Sequence, residues 1–364
     1  MVAMRVLVAP DKFAGTLTAV QAAAAIAEGW SRTAPGDIIE QAPMADGGPG
    51  FLDVLQASLG GALHAVTVSG PFGEPTPAAI LLVGDTAYVE SGQSCGLHLT
   101  GRTDPERATT RGVGELLLAA TDAGATTVVV GLGGSGTTDG GAGLLAALGA
   151  TADCPLDRGP AGLAGLTVVD LGPARARLDG VRVIAASDVD NPLTGLFGAV
   201  KTFGPQKGLV EDRMPVVDGW LQDFAAIADR RLALEKGAGA AGGLGYALLL
   251  LGATRVSGID LVSDAVGLPA RAAAADLVIT GEGSFDFSSR AGKVPYGVAL
   301  VAGSAARPCI VLAGRVDVGS REMRALGVES AYSLVELVGE ERALADPAGA
   351  LAELAARTAR TWSR

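Results

Sequence analysis

Aromatic residues make up only 4% of this 364-residue chain, histidine occurs twice, and cysteine occurs three times. Each shortage excludes something. Two histidines, His64 and His98, leave little material for a histidine zinc site or a Ser–His hydrolase. Cys95, Cys154 and Cys309 lie far apart without metal-ligand spacing, and read as reduced, mostly buried thiols of a cytoplasmic protein. Apolar runs are short: residues 246–253 form one of the longest, far below a membrane span. The N-terminal MVAMRVLVAP meets Asp11 and Lys12 too soon for a secretory signal. Positive charge is also scarce, with 28 Lys and Arg against 39 Asp and Glu and a net charge of −11. That balance argues against nucleic acid and anionic membranes as partners. A small anionic substrate stays open, because backbone N–H groups and a few lysines can override the global field locally.

What is present is hydrophobic residues at 49%, 53 glycines and abundant alanine, a composition for tightly packed strand–helix layers. The length predicts two domains. Strand–loop–helix units open the chain: a strand at 5–9, the exit loop PDKFAG, and a helix at 19–32 capped by Thr16 or Thr18. A strand at 38–42 then leads into PMADGGPG. Such units predict a parallel sheet. From 61 to about 100, short strands at 66–69, 78–83 and 86–90 alternate with Gly/Pro turns, which predicts an antiparallel portion in a separate, inserted lobe. Further strands are predicted at 127–132, 181–186, 277–279, 309–312 and 331–334, with helices at 110–123, 214–234, 244–251 and from 347.

The strand-exit loops carry the candidate chemistry, and in an open α/β sheet ligands bind at the carboxyl ends of strands. GLGGSGTTDGG (131–141) can point backbone N–H groups at a phosphate through Gly133 and Gly134, with the hydroxyls of Ser135 and Thr137 beside them. Asp139 in that loop implies either a metal ion or a helix cap. GPQKG (204–208) offers Lys207 to a phosphate or carboxylate, unless it is a solvated surface lysine. GAGAAG (237–242), with Gly239 and Gly242, matches the dinucleotide fingerprint as a string, but a charged helical stretch rather than a strand precedes it. It reads as a glycine junction feeding a helix N-terminus that can contact a phosphate. No Walker sequence surrounds Lys293. Asp11, Asp46, Asp139, Asp188, Asp190, Glu282 and Asp286 all fall on exit loops. Together they are suited to holding a metal phosphate and activating a hydroxyl.

APDKF, PMADGG, TTRGVGEL, GLGGSGTTDGGAG, SDVDNPLTG, FGPQKG, GAGAAGGLG and TGEGSFD with GKVPYGVA follow one another in an order that resembles the type I glycerate kinase family over nearly the whole chain. The resemblance implies an ATP- and Mg²⁺-dependent kinase, a phosphotransferase with an alcohol group as acceptor, that makes 2-phosphoglycerate from glycerate. It implies an α/β, two-domain fold: a flavodoxin-like parallel sheet with a second, mixed α/β domain inserted into it and the active site in the cleft between them. The expected boundaries are 1–64 plus about 108–150 and 268–364 for the core, and about 65–107 plus 151–267 for the insertion.

On that footing Asp188 or Asp286 activates the hydroxyl, Lys207 and Lys293 hold phosphate charge, and Glu282 with Asp139 lies near the metal. Asp11, Lys12, Asp46, Gly47 and Asn191 take the acceptor, and Gly133, Gly134, Ser135, Thr137, Gly239 and Gly242 the nucleotide. The expected partners are small molecules, in a monomer or homodimer. The chain departs from the family pattern at Ala14, Pro49, Phe51 and Ser288. These departures leave the nucleotide loops intact and point to an altered acceptor pocket, a diverged hydroxy acid, or a non-catalytic nucleotide-binding homologue.

Overall fold

The computed structural model describes residues 3–286 and 293–363, so the expectations placed on Phe287, Ser288, Ser289 and Gly292 lie outside the described residues. The chain divides into two compact units. The first holds the residues up to Asp46, Asp53–Leu59 and those from Ile259 onward; the second holds Gly47–Leu52 and Gly60–Gly258.

The first unit is built on five strands in the spatial order Ile38–Gln41, Arg5–Val8, Leu277–Thr280, Cys309–Ala313, Ser330–Ser333, every neighbouring pair parallel. Numbered along the unit this is 2-1-3-4-5, the flavodoxin-like order. The central strands are short apolar runs because both faces are covered. Val6, Val8, Leu277, Ile279, Ile310 and Leu312 point into one core with Ile26, Trp30, Leu351 and Leu354 of the helices Ala19–Thr33 and Pro347–Trp362. The alternate residues Leu7, Val278 and Val311 are equally buried, and strand alternation puts them on the other face. Each such side chain contributes about 1.5–3 kcal/mol by leaving water. Trp30 is fully buried, and its indole N–H donates to Asp37 Oδ2 at 2.9 Å. Thr18 caps the first helix through a capping box with Gln21.

The order of this sheet reverses between Arg5–Val8 and Leu277–Thr280. The loops leaving those two strands are stitched together: Ala9 N–H donates to Ile279 O at 2.7 Å, Asp11 N–H to Gly281 O at 2.8 Å, and Thr280 Oγ1 to Ala9 O at 2.8 Å. This switch point is where a doubly wound sheet opens a crevice.

The second unit carries a mixed six-stranded sheet. Ala62–Ser69, Pro75–Val83 and Thr86–Glu90 run antiparallel, and Thr127–Gly131, Arg182–Ala186 and Thr254–Val256 continue it in parallel. The assignment of 108–150 to the first unit is therefore corrected. Thr127–Gly131 is bonded between Thr86–Glu90 and Arg182–Ala186, and the helices Arg111–Asp122 and Ala142–Ala147 bury Leu116, Leu117, Leu144 and Leu145 in the core of this unit. Among the described residues no helix is long and apolar enough to cross a membrane.

Candidate active site

In the first unit, the strand-exit loops deliver Asp11, Lys12, Asp46, Glu282 and Lys293 to one cavity of about 480 Å³. Asp11 is buried, with Oδ1 accepting from the Lys12 backbone N–H at 2.7 Å. Lys12 Nζ lies 3.6 Å from Asp11 Oδ1 and 3.8 Å from Asp46 Oδ1. Burial dominates the Asp11 carboxyl and raises its pKa to about 6, although Lys12 pulls it down. Glu282 is buried beside Lys293, whose Nζ stands 3.7 Å from Oε2. Gly281 lets this loop in: a Cβ there would meet Leu312 O at 2.2 Å. Asp286 follows the short strand Ser284–Phe285, accepts from Ser284 Oγ at 3.4 Å, and does not line the cavity. Ala14 does line it, along with Leu334, Val335, Leu344 and an Arg315–Glu340 ion pair that the sequence reading missed.

In the second unit, three glycine-rich loops meet on one buried cation. Lys207 is 2% exposed, and its Nζ donates to Thr137 O at 2.6 Å and Ser135 Oγ at 3.1 Å. Gly242 closes the joint. Its φ is +71°, a Cβ would stand 1.9 Å from Thr137 O and 2.9 Å from Lys207 Nζ, and its carbonyl accepts from Gly140 N–H at 3.1 Å. Desolvation lowers the pKa of Lys207 to about 8, against the pull of Cys95 and Asp139. Cys95, buried alongside, is pushed up to about 12. Lys207 is thus neither a solvated surface lysine nor a free arm; it is an internal tie between loops.

Asp139 behaves as the cap of the two alternatives. Its fully buried carboxylate accepts from Thr110 N at 2.8 Å, Thr110 Oγ1 at 2.9 Å, Gly141 N at 2.9 Å and Gly143 N at 3.2 Å. Burial raises its pKa, and these donors oppose the rise. Three of these four bonds end on Oδ2 and one on Oδ1, tying the carboxylate to the loop and to the start of the following helix. Gly133 is half-buried and Gly134 exposed at the tip of the same loop.

The remaining expected residues are occupied structurally. Asp188 Oδ1 accepts from Ser257 Oγ at 2.7 Å and Gly258 N at 3.1 Å. Asp190 pairs with Lys236 and Arg255, which hold its carboxyl below the usual range. Asn191 Nδ2 donates to Phe197 O at 2.7 Å, and its backbone carbonyl accepts from Gly239 N–H at 2.9 Å. Gly47 (φ +90°) is a close-packing position, since a Cβ would stand 2.9 Å from Ala186 O. The stretch preceding the GAGAAG string is the helix Met214–Ala228 and the single turn Leu232–Leu234, so no dinucleotide-binding strand precedes it.

Sequence reasoning also missed Glu90. It is buried at the end of Thr86–Glu90, with Oε2 accepting from Gly50 N at 3.1 Å. A carboxylate at the last position of a strand was the signal available. Among the described residues no group of three or more His, Cys, Asp or Glu is arranged to hold a metal.

Acidic and lysine-bearing loops at the switch point of a flavodoxin-like sheet, with a second α/β unit whose glycine loops are locked by a buried lysine, define a two-unit α/β protein with strand-end ligand loops. Within that class the chain belongs to the glycerate kinase family, whose model matches residues 6–363. It is 41% identical to the glycerate kinase of Bacillus subtilis strain 168, with 91% of this chain and 90% of that protein covered. It is 38% identical to the glycerate 2-kinase of Escherichia coli K12, with 92% of each covered. The crystal structure of a putative glycerate kinase 2 from Salmonella typhimurium LT2 superposes with a TM-score of 0.82 at 36% identity, covering 99% of this chain and 98% of that one.

Proposed function

We propose that this protein is a cytoplasmic kinase that transfers the γ-phosphoryl group of ATP to glycerate in the presence of Mg²⁺, giving 2-phosphoglycerate. The observation that carries the reading is the cluster of Asp11, Lys12, Asp46, Glu282 and Lys293 around one cavity at the sheet's switch point, in a chain whose relative of 38% identity is a glycerate 2-kinase. The acceptor's hydroxyl oxygen forms a bond to the γ-phosphorus while the bond to the β-bridging oxygen breaks. ADP leaves with that electron pair, and the hydroxyl proton passes to a carboxylate. Asp11 fits that last role better than Asp188 or Asp286 because it lines the cavity beside Lys12 and they do not, and its raised pKa of about 6 suits a base. Lys12 faces the acceptor's carboxylate, and Lys293 the phosphate charge.

The donor chemistry of the first unit fits Mg²⁺, which is commonly held by one or two carboxylates plus substrate phosphates rather than by an all-protein cage. Glu282 is the residue that would hold it, and when bound the ion supplies neutralisation of phosphate charge. In the second unit the part of the glycine loop open to a phosphate is its tip, where Gly133 is half-buried and Gly134 exposed. The test is acceptor-dependent ADP release from ATP and Mg²⁺ with glycerate, with the product's position read by ³¹P NMR. ATP turnover that does not respond to glycerate or any related hydroxy acid would sink the reading.

A further inference from the structure

The lining of the first unit's cavity falls into two chemical groups. Asp11, Lys12, Asp46, Glu282, Lys293 and the Arg315–Glu340 ion pair carry charge; Ala14, Leu334, Val335, Ala343, Leu344 and Pro347 present only hydrocarbon side chains. The second group is a built wall. Leu334 and Ala343 are buried, Ser333 caps the helix Leu334–Val338, and Val335 N–H donates to Gly314 O at 3.1 Å. On it Leu344 stands 61% exposed, more than Ile38 at 54% or Leu300 at 52%, the other exposed large apolar residues described in this unit. A leucine left in water beside a charged cavity adds nothing to the protein's own stability, whereas a ligand with hydrocarbon to cover it gains affinity there.

We propose that the preferred acceptor is a 2,3-dihydroxy acid with a branched alkyl substituent, its carboxylate and hydroxyls facing the charged group and its methyls covering Leu344 and Val335. This rests on the kinase reading above, and the transfer step is the one written there. Phe13 also lines the cavity, but at 2% exposure it leaves little ring face for a purine to stack on, which favours the acceptor over the nucleotide's base as the occupant of the aliphatic wall.

The experiment compares glycerate with 2,3-dihydroxy-3-methylbutanoate in the ADP-release assay, on the full chain and on Leu344→Asp. The expected result is a kcat/KM about tenfold or more higher for the branched acid, since a methyl in a fitted apolar pocket changes selectivity by about that factor. Leu344→Asp should collapse the ratio through the acceptor's KM and not through that of ATP. Calorimetric binding of both acids to the unsubstituted chain provides a second measure that needs no variant. Preference for glycerate in both assays overturns this inference and leaves the kinase reading intact. A rise in the KM of ATP instead assigns the wall to the nucleotide and overturns it too. If no acid supports ADP release, the kinase reading falls and this inference falls with it.

Discussion

At Asp11 the fold holds a carboxyl group away from water at the end of a strand, beside Lys12 and within the field of Asp46. A folded-state pKa of about 6 against an ordinary 3.8 means that the folded chain binds this proton more tightly than the unfolded one. The stabilising contribution is therefore fully present below about 3.8 and is lost as pH rises through about 6, up to roughly 3 kcal/mol over the window. Asn keeps the acceptor oxygen for the Lys12 N–H and removes the buried charge. Asp11→Asn is accordingly expected to melt higher than the unsubstituted chain at pH 7, with the gap closing toward pH 4, while turnover drops by about 10²-fold or more. Thermal unfolding across that pH range, run beside the ADP-release assay, checks both. A variant that melts lower at pH 7 would show that the Lys12 and Asp46 interactions outweigh burial. Stability given up at the carboxylate proposed as the base is the trade expected of an active site.

The joint between the loops at 131–141, 204–208 and 237–243 depends on backbone approaching backbone. Gly242→Ala places a methyl 1.9 Å from Thr137 O at a φ of +71°. It is expected to destabilise by about 3 kcal/mol through overpacking and backbone strain. Gly219→Ala, within the helix Met214–Ala228 and with nothing within 4 Å of the added carbon, is the matched control and should stabilise by about 0.5–1 kcal/mol. Urea unfolding of the pair measures the contrast, and equal midpoints would refute the packing account. Lys207→Met leaves Thr137 O and Ser135 Oγ without their buried donor, an expected loss of about 1–3 kcal/mol. In calorimetric scans that is a midpoint lower by roughly 3–10 °C. The sequence made the glycine loops and the lysine visible, because Gly and Lys at strand exits are local features. It could not show that the lysine turns inward, because burial is decided by partners that lie 70 and 72 residues away from it. The same limit explains 108–150. The apolar run at 127–131 identifies a strand as clearly as 277–280 does, but which strand it joins is fixed by hydrogen bonds to Thr86–Glu90 and Arg182–Ala186. Asp139 was legible as a choice between cap and metal, and the donors of Thr110, Gly141 and Gly143 supply the capping contacts that sequence alone could not place.

For the molecule as a whole, the open assignment is which unit takes which substrate, and it can be read without relying on turnover. A ligand that binds the folded state protects the amides it covers and stabilises by RT ln(1 + [L]/Kd), about 2.7 kcal/mol at a hundredfold excess over Kd. If the glycine loops of the second unit hold the nucleotide, ATP with Mg²⁺ should slow hydrogen exchange at 131–141 and 237–243. Some amides there, such as Gly140 and Gly239, already donate within the protein, so new protection is expected at the exposed tip around Gly133 and Gly134 instead. The acceptor acid should protect 11–14, 281–284 and 334–344, the segments that line the first unit's cavity. Chelating the metal should abolish ATP protection more than acceptor protection, since Mg²⁺ is commonly bound together with substrate phosphates. Protection by ATP confined to 334–344 and 11–14 would move the nucleotide into the first unit. It would also make Leu344 part of the nucleotide's surroundings, and leave the buried lysine joint of the second unit with a structural role alone.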